Sequence, residues 1–289
     1  MHSLYISNTV STSDNWDLIY KKYLEEILNR GSIFEGRNGE TRSVFGCSVT
    51  VDAREGVPIT TLRKLPFKNL IREFLFDIGT NTNVEALGKA KHFWSFLADE
   101  DGWLGASAYN RQWRTWPASL PGSEIPNERL TVSGVVDQFE RVRKLLIDTP
   151  NSRHGTIITT NPTAIDPACP PCHLSLQFMP NGKWLDVMIP ARSNDMVVGF
   201  PLDIARYTII LECMARLTGF AARYVYMPST NSHIYENCYS VAKDMIVRTT
   251  RSNPRLIVKG NHATWDDFVL DDFELEGYDP HDSIKVGVN

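Results

Sequence analysis

The chain contains no apolar run approaching the roughly 18–20 residues needed to cross a bilayer. Its opening residues, Met1-His2-Ser3-Leu4, form neither a secretory leader nor an obvious anchor. Cysteine is scarce: Cys47, Cys169, Cys172, Cys213 and Cys238 are five in 289 residues, an odd number without framework spacing. That excludes a disulfide scaffold and suits a reducing compartment. Positive charge is not in excess either. Lys and Arg number 30 against 34 Asp and Glu, a formal net charge of −4, so the basic footprint of a duplex-DNA binder is missing. No stretch has the composition of a linker, and no segment repeats. The expectation is a soluble, cytoplasmic protein with no membrane and no nucleic-acid partner, whose anionic ligands are small and held by local arginines.

With 42% hydrophobic residues the chain can bury a substantial core, read here as one catalytic domain over 1–289 with an N-terminal helical segment over 1–30. Trp16, Ile19, Tyr20, Tyr23, Leu24 and Leu28 recur at helical spacing, with Ser13 or Asp14 as cap. Helices are also predicted over Phe67 to Ile78, Val84 to Leu97, Leu130 to Ile147 and Ile234 to Val247. Ile204 to Leu217 is a helix too apolar to face water, closed by Gly219. Strands are expected over Ser43 to Val51, Thr156 to Thr160, Arg223 to Met227 and Leu256 to Lys259. Leu174 to Met179 and Trp184 to Ile189 form a hairpin about Pro180-Asn181-Gly182-Lys183. Helices mixed with antiparallel strands, without regular βαβ alternation, indicate an α+β fold.

The most informative stretch is Cys169-Pro170-Pro171-Cys172-His173, which runs into the apolar segment from Leu174. Two prolines stiffen the backbone and remove two N–H donors just before Cys172, a good way to hold a nucleophile in a near-attack position. The plain alternative is a buried cysteine at a loop-to-strand junction. Cys169 and Cys172 also have the spacing of a redox dithiol or half a zinc site. Against zinc, no second close pair completes a four-thiolate set, and no metal is expected. Against a dithiol, the pair follows a turn-rich loop instead of lying in a strand-helix-strand unit. Elsewhere, Glu73 sits beside the apolar face of its helix, as a boundary residue or as a buried acid relaying protons through water. The aromatic segment Tyr109-Asn110-Arg111-Gln112-Trp113-Arg114-Thr115-Trp116 is either core or the wall of a pocket for a flat heterocycle.

Six segments in order resemble the thymidylate synthase family: Gln112-Trp113-Arg114, Ser152-Arg153, Pro170-Pro171-Cys172-His173, Arg192-Ser193-Asn194-Asp195, His233-Ile234-Tyr235 and Glu276-Gly277-Tyr278-Asp279-Pro280-His281. The resemblance covers Arg37 to the C-terminus. It implies a three-layer α+β fold with a large mixed sheet at the interface of an obligate homodimer. It also implies a pyrimidine nucleoside monophosphate as substrate and 5,10-methylenetetrahydrofolate as co-substrate. By resemblance Cys172 attacks carbon 6 of the pyrimidine, Glu73 organises water and Tyr109 stands near the nucleophile. Arg37, Arg192, Ser193 and, across the interface, Arg153 bind phosphate, with His154 where the family often has a second arginine. His233 and Tyr235 hold the sugar, and His173, Gln177, Asn194 and Asp195 belong to the substrate side. Trp94, Cys169, Asp195, Gly199 and Leu202 belong to the folate side.

The departures from the family pattern carry the specificity. Asp203 stands where a synthase has the asparagine that pairs with uracil. A carboxylate cannot donate to the uracil oxygen, but it accepts from the cytosine amino group and a protonated ring nitrogen. Asn194 points the same way, and the chain is most similar to the deoxycytidylate (dCMP) hydroxymethylase branch. In that branch water, in place of hydride, completes the one-carbon unit. Ala191 and Cys169 replace residues that commonly line the folate side, which is consistent with water entering. The other outcomes are a CMP hydroxymethylase, a dCMP methyltransferase, a synthase acting on dUMP, or a silent nucleotide-binding relative.

Overall fold

The computed structural model describes residues 7–9, 15–36, 38–106, 108–117, 134–162 and 170–286. Arg37 and Cys169, both assigned above to the site, lie outside the described residues, as do Ser13 and Asp14. Strand β1 (Ser7–Thr9) precedes helix α1 (Trp16–Arg30). The cap of α1 is Asn15, whose side chain accepts from the Asp17 N–H, and not Ser13 or Asp14 as expected. Asp17 in turn accepts from the Thr60 hydroxyl at 2.5 Å and from the Thr61 N–H at 3.0 Å, which pins the helix start to a buried loop. The helix ends at Gly31, where a Cβ would lie 2.4 Å from the Ile27 oxygen, so only glycine lets the chain turn so closely.

The chain then forms the hairpin β2 (Ser32–Gly36) and β3 (Gly39–Asp52), followed by α2 (Phe67–Ile78) and α3 (Tyr109–Arg114). Between these two helices Val84 to Leu97 departs from the expected single helix. It consists of 3-10 turns broken at Gly88, whose φ of +55° and ψ of −120° lie outside any helix. The expected helix from Leu130 is also shorter. β4 (Trp116–Pro117) pairs with β5 (Val135–Val136), and α4 begins only at Gln138 and ends at Asp148, because Asp137 caps it by accepting from the Glu140 N–H.

Next come β6 (Gly155–Ile158), β7 (Ser175–Asn181), β8 (Trp184–Met188), β9 (Asn194–Asp195), α5 (Phe200–Thr218), β10 (Ala221–Tyr235), α6 (Tyr239–Val247), and the small antiparallel pair β11 (Arg255–Val258) and β12 (Phe273–Glu276). β10 is three times the expected strand. It continues through Pro228, which lies where the parallel neighbour changes from β8 to β9, so the missing N–H interrupts no continuous ladder. It also absorbs Ile234 and Tyr235, which the helical reading had claimed.

The result is an α+β fold around an eight-stranded mixed sheet, ordered β1-β3-β10-β8-β7-β6, with β2 on β3 and β9 on β10. Val49, Leu176, Phe178, Leu185, Val187, Val225 and Met227 are buried in the core that α1 and α5 share with the sheet. α5 is buried nearly all round, as its composition requires, and each large apolar side chain it buries contributes about 1.5–3 kcal/mol. On the other face, Thr156, Gln177, Met188, Tyr226 and Thr50 follow one another across the strands in register. There Tyr226 and Met179 remain exposed. No helix among the described residues is long and apolar enough to cross a membrane.

Candidate active site

Pro170 and Pro171 lead Cys172 to the rim of the sheet, where residues 172–174 run antiparallel to 190–192: Arg192 N–H donates to the Cys172 carbonyl and Leu174 N–H to that of Pro190. Three side chains from distant parts of the chain hold this corner. The Tyr109 oxygen accepts from the backbone N–H groups of Cys172 at 3.0 Å and His173 at 3.2 Å. With both lone pairs engaged, the phenol has only its proton to offer, and His173 Nδ1 stands 3.2 Å away to receive it. Burial lowers the His173 pKa to about 4, so the imidazole is neutral and its own proton sits on Nε2. Arg192 clamps the loop from outside, its Nε donating to the Pro171 carbonyl and Nη2 to that of Pro170, and the same Nη2 lies 3.5 Å from the Cys172 sulfur. A guanidinium at that distance favours thiolate over thiol.

Next to the thiol is a cavity of about 240 Å³ walled by Phe93, Trp94, Phe96, Leu104, Tyr109 and Pro170, among others. It is apolar and aromatic, the lining that suits a flat heterocycle. From that lining, Trp94 Nε1–H donates to the buried Glu73 at 3.3 Å. Burial pushes Glu73 up to about 7, and the Arg206 charge only partly offsets it. One turn on, Asp77 is pushed up to about 6 by burial, again against Arg206. Arg206 is itself fully enclosed. Its Nη1 lies 2.9 Å from Asp77 Oδ2 and its Nη2 donates to Asp203 Oδ1 at 2.8 Å. The other oxygen of Asp203 faces His173 Nε2 at 3.6 Å.

Cys172, Tyr109, His173, Arg192, Glu73, Trp94 and Asp203 thus form one cluster. Asn194 borders it, buried, with its amide nitrogen 3.6 Å from Met227 Sδ and its side chain against the His173 imidazole. Gly199 and Leu202 sit at the start of α5, the turn that delivers Asp203. Asp195 is engaged in building that turn, since its Oδ1 accepts from the N–H groups of Val197 at 2.9 Å and Val198 at 3.1 Å. It also stands in register with His233, whose Nδ1 meets Asn231 Oδ1 at 2.8 Å and whose ring lies edge-on to Tyr235. Burial lowers the His233 pKa and the nearby Asp195 charge opposes this. Ser193 is half-buried beside them. Gln177 lies in β7 on the open face of the sheet, and Arg153 and His154 are exposed on the loop before β6.

Asp77 and Arg206 were not anticipated as site residues. The signal was present: each is a charged residue at a helix position whose neighbours, Phe76 and Ile78 in one case and Ala205 and Tyr207 in the other, are core. A charge so placed needs a partner. Among the described residues no group of three or more metal-ligating side chains occurs. The arrangement holds a cysteine beside a cation, a buried acid near neutrality, and a carboxylate facing the histidine that follows the cysteine. That is the equipment for covalent addition to an electron-poor ring followed by proton transfers. A family model described as Thymidylate synthase matches residues 18–289, and the chain belongs to the thymidylate synthase family, whose fold implies a one-carbon transfer at carbon 5 of a pyrimidine with methylenetetrahydrofolate as co-substrate.

Proposed function

We propose that this protein is a deoxycytidylate 5-hydroxymethyltransferase, converting dCMP to 5-hydroxymethyl-dCMP. The observation that carries the reading is Asp203, a carboxylate with one oxygen paired to Arg206 Nη2 and the other facing His173, the residue next to Cys172, at 3.6 Å. An acceptor-only group at the base edge matches the cytosine amino group and a protonated ring nitrogen, and opposes the carbonyl of uracil. Leaving one polar edge mispaired costs about 1–3 kcal/mol, enough to reverse a preference.

On this reading the Cys172 sulfur bonds to carbon 6 and the ring electrons move to carbon 5, which becomes nucleophilic. 5,10-Methylenetetrahydrofolate supplies the one-carbon unit there. The apolar wall of Phe93, Trp94, Phe96 and Leu104 fits its flat heterocycle. Glu73, poised near neutrality, moves protons through water to and from the ring. The proton on carbon 5 is lost to base as tetrahydrofolate departs, leaving an exocyclic methylene on the ring; water, delivered on the Glu73 side, adds to it as hydroxymethyl, and expulsion of the thiolate restores the ring. Arg192 and Ser193, with Arg37, take the 5′-phosphate, and His233 and Tyr235 take the sugar hydroxyl. The same reading makes a homodimer through the open sheet face around Met179 and Tyr226, each chain lending Arg153 to its twin's phosphate site.

The test is a product assay with the co-substrate and dCMP, CMP and dUMP in parallel, read by mass spectrometry of the nucleotide. Hydroxymethylated dCMP with little reaction on dUMP is expected. Methylated dUMP would make this a thymidylate synthase, methylated dCMP a methyltransferase, and preference for CMP a ribonucleotide enzyme.

A further inference from the structure

Glu73 and Asp77 stand one turn apart on α2, both buried, a spacing that puts two side chains on one helix face with Cβ atoms about 5–6 Å apart. Two carboxyls so placed disfavour each other's ionisation. Arg206 meets that face from α5. Its side chain is 4% exposed and that of Asp77 3%, and its Nη1 lies 2.9 Å from Asp77 Oδ2 as an ion pair without hydrogen-bond alignment. Its Nη2 is committed to Asp203 at 2.8 Å, so Glu73 meets the guanidinium as a charge through space. The hydrogen bond Glu73 does receive comes from Trp94 Nε1–H. The charged groups facing Glu73 are thus Asp77 from its own helix and Arg206 and Asp203 from α5, while the rings of Tyr109, at 5.8 Å, and Tyr207, at 5.5 Å, and the neutral His173 enclose the guanidinium. Influences of opposite sign act on one acid: Arg206 draws Glu73 towards carboxylate, and burial, Asp77 and Asp203 draw it towards carboxylic acid. Asp77, pushed up to about 6, is itself ionised where Glu73 titrates, near 7. Burying a charged pair such as Asp77 and Arg206 rarely adds stability over an apolar pair of the same volume, so its presence calls for another role.

We propose that Asp77 and Arg206 are positioning residues for proton transfer at Glu73: acting through that acid, the pair balances its two forms so that it can both take and give a proton within one turnover. This rests on the reading of Glu73 as the proton relay above. Without the guanidinium, Glu73 would hold its proton too firmly to release it to water. Without the Asp77 charge, the unopposed guanidinium would keep Glu73 as carboxylate, with no proton to give.

The test compares wild type with Asp77→Asn, which keeps the shape and removes the charge, with Arg206→Gln, and with Arg206→Lys as the conservative variant. Glu73 is followed directly by carbon-13 NMR of protein labelled at the glutamate δ-carbon, its resonance assigned by its absence from Glu73→Gln. The pH dependence of tritium release from carbon-5-labelled nucleotide is measured on the same proteins. Asp77→Asn should lower the midpoint of the Glu73 titration and Arg206→Gln should raise it, each by about 1 pH unit, with Arg206→Lys close to wild type. The limb of the rate profile should move with the midpoint. Asp77→Asn and Arg206→Gln break the same ion pair, so a purely structural role would move both midpoints in one direction or neither, and either result would overturn the inference. Should Arg206→Gln not fold, Asp77→Asn decides alone: a midpoint unmoved or raised would overturn the inference. Midpoints that separate as expected while the rate profile stays in place, or wild-type turnover by Glu73→Gln, would locate the failure in the relay reading of Glu73 instead.

Discussion

The two walls of the site around Cys172, one lining the cavity and the other the buried polar cluster beside it, are built on opposite principles. One wall, Phe93, Trp94, Phe96, Leu104 and Pro170, offers apolar area. The other, Glu73, Asp77, His173, Asp203 and Arg206, offers hydrogen-bonding groups in a fixed pattern of donors and acceptors. Apolar area binds in proportion to contact and tolerates change of shape, whereas a buried polar edge penalises any ligand that leaves one of its groups unpaired. The aromatic wall should therefore govern how tightly flat rings bind, and the acidic wall which ring is accepted.

The largest effect is expected at the junction of the walls. Cys172→Ser should abolish release of tritium from carbon-5-labelled nucleotide by about a thousandfold or more, because neither wall can replace the covalent bond to carbon 6. Nucleotide binding, followed by calorimetry, should persist. If the variant retained appreciable turnover, both walls would be serving some chemistry other than thiol addition.

Tyr109→Phe comes next. The phenol belongs to both walls: its ring lines the cavity and its oxygen accepts from two backbone N–H groups of the nucleophile loop. Losing that oxygen leaves the two donors and His173 Nδ1 unpaired, at about 1–3 kcal/mol for each group that water cannot reach. A lowered melting temperature and a fall in kcat of about ten- to a hundredfold are expected, with KM for the co-substrate little changed because the ring remains. A change confined to KM would assign Tyr109 to the apolar wall alone.

Glu73→Gln probes the acidic wall through pH. Folding raises the Glu73 carboxyl from 4.5 to about 7, so between those values the folded protein binds more protons than the unfolded chain. Stability in wild type must then fall as pH rises from about 4.5 through about 7, and level off above. The glutamine variant lacks this loss. It should match wild type near pH 5 and gain about 2–3 kcal/mol on it by pH 8–9 in denaturant titrations. His173, lowered to about 4, contributes equally to both proteins and cancels from the difference.

The walls also differ in how far they could be read beforehand. The nucleophile corner was legible because Pro170-Pro171-Cys172-His173 is contiguous, and two prolines before a strand restrict the backbone whatever surrounds them. The helices α2 and α5 were equally plain from their apolar period. Long-range pairing was not legible: β10 was taken for a short strand followed by a helix, and only the packed sheet shows the strand running on through Pro228, where its parallel neighbour changes. The Arg206–Asp77 pair was hidden for a related reason. Its members are 129 positions apart, and each looks like a stray charge on a core helix until α2 and α5 are packed together. Sequence motifs mark the groups that touch substrate, while the residues that fix the charge of those groups emerge only from tertiary contact.

The smallest effect sharpens the comparison most, because Trp94 is shared by the two walls. Its ring is part of the apolar lining, and its Nε1–H donates to Glu73 Oε1 at 3.3 Å. Trp94→Phe keeps an aromatic face and deletes the donor. If the walls act separately, KM for the co-substrate should change less than about threefold, since most of the contact area survives. The hydrogen bond favours the ionised form of Glu73, so its loss should raise that carboxyl further and shift the corresponding limb of the pH–rate profile to higher pH. Trp94→Ala removes area and donor together and should show the same alkaline shift with a clearly larger KM. If Trp94→Phe raised KM as much as Trp94→Ala and left the pH profile in place, the division would be wrong, and Trp94 would act on its ligand through the indole N–H and not through its face.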